Sequence, residues 1–170
     1  MYLSELFDYK NLLMKEICSS QAVASLITDN PDQTVPAKDL IYSQVFPYEF
    51  IPETVDMGQT FICFDVDVAK TLERPYYLLY LYVWVFTHKS KMRLEKGGVR
   101  VDEIVNELDK ILEGHKCFGL GDLKLHSVER FTPITDYQGR VLTYTAVDIN
   151  KLNNDKAHAK QIPKNRRQGA

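Results

Sequence analysis

At 170 residues, with 45% hydrophobic and 26% charged content, the chain is long enough to close one domain around its own core without disulfide or metal staples. Its three cysteines, Cys18, Cys63 and Cys117, are odd in number and widely spaced, which excludes a disulfide framework or a zinc pattern and suits a reducing compartment. The net charge of −2 is unevenly laid out: Lys151, Lys156, Lys160, Lys164, Arg166 and Arg167 against Asp155 give the last twenty residues +5, leaving −7 on the first 150.

The amino terminus, "MYLSELFDYK", has acids at Glu5 and Asp8 and no long apolar core, so it reads as neither a signal nor a transit sequence. Over residues 3–17, Leu3, Leu6, Phe7, Met14 and Ile17 fall near helical spacing with Leu13 alongside, which predicts an amphipathic helix. "SSQAVASLITDNPD" predicts a short second helix, capped by Ser19 or Ser20 and stopped at Asn30-Pro31. Residues 31–58 hold Pro31, Pro36, Pro47 and Pro52 among scattered aromatics, too proline-rich for a regular element and too apolar for a linker. A packed irregular arm is expected there, with Tyr42, Phe46, Tyr48 and Phe50 as contact residues.

"TFICFDVDVA" alternates, placing Phe64, Val66 and Val68 on one face and Asp65 and Asp67 on the other, as a strand does. The next apolar run, Tyr76 to Phe86, has six aromatics and two valines in eleven residues, too short for a membrane helix of about 20. It predicts a strand paired with the previous one through a turn at "KTLERP". No membrane partner is expected. The lack of polar alternation demands cover on both faces, from helices on one and from the arm or another subunit on the other. "VRVDEIVNELDKILEG" predicts a helix with Val101, Ile104, Val105, Leu108, Ile111 and Leu112 as its apolar stripe and Gly114 as its stop. Its outer face carries Asp102, Glu103, Glu107, Asp109 and Glu113.

Gly119 and Gly121 have no following helix and no Lys-Ser/Thr pair, so a phosphate loop is rejected in favour of a turn into a strand near Leu123–Phe131. A turn at Tyr137–Gly139 and a last strand from Arg140 to Ile149 follow. The order predicts an α+β domain over 1–150, a mostly antiparallel sheet of about four strands against helices, with a basic tail over 151–170.

From Phe61 to Asn150, the helix "VDEIVNELDKIL", the glycine turn "CFGLGDLKLHSVERF", the strand "DYQGRVLTYTAVDIN" and the charged end resemble the small neck proteins of tailed bacteriophages. The likeness is to the tail-terminator or tail-completion group and its head–tail joining relatives. It implies a structural virion protein, assembled in the host cytoplasm, whose copies form a ring, in that family a hexamer. Such rings cap the tail tube, stop its polymerisation and meet the head connector, so the implied partners are other copies, tail tube protein and connector proteins, with DNA passing through the ring. No enzyme activity, cofactor or metal is implied. The expected contacts are the Tyr42–Phe50 aromatics, the Asp102, Glu103 and Glu107 face, and Lys164, Arg166 and Arg167.

Two other readings stand beside it. A small nuclease would use Asp65, Asp67 and Lys70 around magnesium, with Lys164, Arg166 and Arg167 on phosphates, but a third acid is not identified. An adaptor domain outside phages would use the same sheet for protein contacts. His88, His115, His126 and His158 form no HxH or HxxxH set, and a Cys117 nucleophile beside His115 competes with an inert thiol.

Overall fold

The computed structural model describes residues 5–30, 34–52, 58–71 and 76–149, with 69–71 as backbone only. Helices α1 (Glu5–Ser19), α2 (Gln21–Thr28) and α3 (Ala37–Leu40) lead into β1 (Val45–Phe46), β2 (Thr60–Thr71) and β3 (Tyr76–His88). A single 3₁₀ turn, Lys89–Lys91, precedes α4 (Arg100–Leu112), and β4 (Lys124–Phe131) and β5 (Tyr137–Ile149) complete the order. The class is α+β, as expected, with a mixed sheet ordered β1-β2-β3-β5-β4 in which only β1 runs parallel to its neighbour.

Helix α1 buries Tyr9, Leu13, Met14, Ile17 and Cys18, the 3.6-residue stripe that points at the sheet. Phe7 departs from expectation: it sits off that stripe and is 68% exposed. The Ser20 side chain accepts from the Val23 N–H and starts α2, and Asp29 in the left-handed region ends it. In α4 the residues Val101, Ile104, Leu108 and Leu112 are buried, and Gly114 follows at φ +75°.

The helices cover one sheet face. Ile62, Phe64 and Val66 of β2, Leu79, Leu81, Val83 and Val85 of β3, and Leu142, Tyr144 and Ala146 of β5 meet them in the main core. Every second residue of β3 is therefore buried under helices, which accounts for half of the apolar run.

Two expectations are corrected. The 31–58 arm contains regular structure: α3 and β1 lie in it, and β1 adds a fifth strand. The proline count misled because two residues suffice here; β1 pairs only Val45 with Ile62 and Phe46 with Cys63, and Pro47 ends it. Tyr137–Gly139 are also not a turn but the start of β5, opposite His88 to Phe86, and the chain reverses before Tyr137. Gly139 serves close packing: a Cβ there would lie 1.9 Å from the Val85 carbonyl oxygen and 2.7 Å from the Phe86 Cα.

Candidate functional site

Among the described residues, the opposite sheet face is covered at one end only. There Phe61, Phe86 and Tyr137 are buried beneath Phe46 and Phe50 of the arm, Phe131 at the end of β4 and Ile134 of the β4–β5 connection. Phe46 stacks on Phe50 with centroids 4.2 Å apart, and Tyr48 tilts against Phe46 at 5.6 Å. Two of the four predicted arm aromatics thus form a lid, with Tyr48 at its rim and 45% exposed. Tyr42 is separate from the cluster, 62% exposed at φ +57°.

Next to the lid, β3 presents Trp84, which packs against that cluster, and then Tyr82 and Tyr80, all half-buried and in a row on this face. Tyr80 and Tyr82 are 5.9 Å apart, and Tyr82 and Trp84 stack at 5.8 Å. The register places Asp67, Asp65 and Cys63 opposite them on β2, and Thr145, Thr143 and Val141 on β5. His126, at the register shift in β4, approaches Tyr80 at 6.1 Å. Among the described residues of one copy the Tyr76–Phe86 strand is therefore covered in part: helices enclose one face, the arm covers one end of the other, and a ladder of three half-buried aromatic rings there keeps contact with solvent. A ladder with acids on one side and threonines on the other offers flat apolar area rimmed by hydrogen-bonding groups, the composition of a protein contact.

The remaining candidates behave differently. On α4, Asp102 is 3.1 Å from Arg140, Glu103 3.5 Å from Lys96 and Glu107 2.7 Å from Lys110. The acidic face is thus engaged by its own chain's bases. Lys164, Arg166 and Arg167, like the rest of 150–170, lie outside the described residues, as does His158. Asp65, one of the nuclease candidates, is 2.6 Å from Lys10 of α1, a pairing no sequence spacing announces. No group of three His, Cys, Asp or Glu that would hold a metal occurs among the described residues.

Burial raises the Cys63 thiol to about 12 and the Cys18 thiol to about 11, so both stay protonated. Cys117 is exposed, and its N–H donates to Nδ1 of His115. That bond occupies the imidazole with backbone rather than with the sulfur. Two buried tyrosines bind carboxylates: Tyr9 donates to Asp148 at 2.9 Å and accepts from the Gly119 N–H at 3.2 Å, and Tyr144 donates to Asp109 at 2.9 Å. Burial first, then the acceptor carboxylate, moves both phenols above the usual tyrosine range. They fasten α1 and α4 to β5 and are structural. None of the described helices is long and apolar enough to cross a membrane.

Sequence reasoning anticipated the Tyr76–Phe86 run as the unusual surface but not which rings stay open. The signal was available in the alternation, since Tyr80, Tyr82, Trp84 and Phe86 share one parity. Residues 10–146 match the sequence model of a protein family described as YomW, which covers most of the chain. No curated protein matches. YomW is a phage-derived gene name of the Bacillus SPbeta type, which points to a phage protein.

Proposed function

The chain belongs to the YomW family, and we propose that it is a structural virion protein, a subunit of the ring that caps the tail tube at the phage neck. In this reading the ring, a hexamer, ends tube polymerisation and meets the head connector, after assembly in the host cytoplasm. The observation that carries it is the half-buried ladder of Tyr80, Tyr82 and Trp84, apolar area that the described residues of one copy leave partly wet. Such area is stabilised by burial against another protein, at about 25 cal/mol per Å². The phage-derived family name supports the setting.

The test mixes the full chain with polymerising tail tube protein and measures tube length by electron microscopy. Capping arrests growth, and Tyr82→Ser with Trp84→Ser releases the arrest. Trp84 is the chain's only tryptophan, so its emission reports directly on cover of the ladder. A monodisperse monomer at high concentration that leaves tube length unchanged sinks the reading. Magnesium-dependent nucleic-acid cleavage abolished by Asp67→Asn would replace it with the nuclease.

A further inference from the structure

Strand β4 is the outer strand of the sheet, and among the described residues its helix-side positions are exposed. Leu125 is 39% and Val128 42% exposed, and Val99, at the head of α4, is 42% exposed. Between α4 and β4 lies a groove of about 490 Å³ whose floor includes Val99, Val101 and Met92. Its polar end is unusual. Arg130 of β4 and Arg140 of β5 are directly opposite one another and both line the groove. Like charges facing across strands are unfavourable for folding. Asp102 engages Arg140 at 3.1 Å, and exposed Arg130 has no counterpart acid in the groove lining. An apolar trough ending in an arginine pair is suited to an apolar side chain that arrives with a carboxylate.

The chain carries such a group. Phe7 is the most exposed large hydrophobic among the described residues, and Asp8 beside it is exposed on the first turn of α1. The knob and the groove cannot meet within one copy: α1 is tied by Tyr9 to Asp148, while the groove lies at Arg140 on the same strand, about 27 Å away at ~3.4 Å per residue. Two different patches at opposite ends of a strand make a head-to-tail contact, which closes into a ring when the rotation permits.

We propose that the α4–β4 groove receives Phe7 and Asp8 of a second copy, the phenyl ring against Val99 and Met92 and the carboxylate on Arg130 and Arg140. This rests on the ring reading for its purpose but not for its chemistry, since the contact needs no tail protein. The experiment is sedimentation of the full-length chain across a concentration series, with circular dichroism as the folding control. Phe7→Ser alters only an exposed position, and it and Arg130→Asp are each expected to weaken self-association about tenfold or more. Asp8→Arg weakens it likewise, and combining Asp8→Arg with Arg130→Asp restores it. Folded single variants that associate like the parent overturn the proposal, as does a parent that stays monomeric or a double variant without recovery. Tube capping is read separately. Association through this contact without capping rejects only the terminator reading, and capping by an Arg130→Asp ring rejects only this contact.

Discussion

Arg100 offers the sharpest test of how the domain is held together. It opens α4, yet its side chain is only 4% exposed. Nε donates to the Lys91 carbonyl at 2.7 Å, Nη1 to the Leu26 carbonyl at 2.6 Å and Nη2 to Asp29 at 2.5 Å. The Leu26 carbonyl belongs to the last turn of α2, where no intrahelical donor remains, so the guanidinium supplies what the helix lacks. One planar cation thereby ties α2, the 3₁₀ turn and α4 into a single layer. Arg100→Met keeps the apolar stem and removes the donors, stranding two carbonyls. At about 1.5–3 kcal/mol per charged hydrogen bond, the expected loss is about 3–5 kcal/mol, with Tm falling by roughly 10 °C. Asp29 is 41% exposed, so its ion pair contributes little of this and Asp29→Asn is expected to cost under about 1 kcal/mol. The sign with pH is fixed: hydrogen bonds from Arg100, then Lys91, hold the Asp29 carboxyl below its ordinary value. Its contribution is present above the unfolded carboxylate value of about 3.9 and fades as pH falls through the depressed folded value. Urea titrations of both variants at pH 7 and pH 3 read these quantities. An Arg100→Met protein within about 1 kcal/mol of the parent would refute the reasoning, because the stranded carbonyls would then be finding water.

Further outcomes follow from the packing. Gly139→Ala forces a Cβ into the Val85 carbonyl, so it should cost several kcal/mol or prevent soluble expression, whereas Gly121→Ala, which meets open space, should be near neutral; thermal melts of the pair decide. In native protein at pH 8, one thiol per chain, Cys117, should react quickly with an aromatic disulfide reagent, while Cys18 and Cys63 should wait for unfolding; three fast thiols would contradict the burial assigned to them. Tyr9→Phe removes a donor from buried Asp148 and an acceptor from the Gly119 N–H, and urea titration should find about 1–3 kcal/mol of destabilisation.

Much of the architecture was readable because local patterns and tertiary demands agree. The strand alternation of Phe64, Val66 and Val68, the α4 stripe and the Ser20 cap each need only one element to be understood. Phe7 was misjudged because helical spacing alone tolerates a residue one position off the stripe, and only the docking angle of α1 decides which edge is wet. Gly139 is ambiguous in sequence because glycine marks turns and close approaches alike, and the approach here is by Phe86, 53 residues earlier in the chain.

The acidic face of α4 shows the same division. Its composition was plain, but the distant Arg140 that engages Asp102, and Lys10 that engages Asp65, arrive through the fold. By itself the sequence determined the class, helices α1, α2 and α4 and the long strands, and it marked the aromatic run as more apolar than one strand face requires. Only the tertiary structure decided which of those rings lie under helices, which under the Phe46–Phe50 lid, and which stay open at Tyr80, Tyr82 and Trp84. The reason is that side-chain parity is local, a two-residue period written along the chain, whereas cover comes from segments that only folding brings alongside.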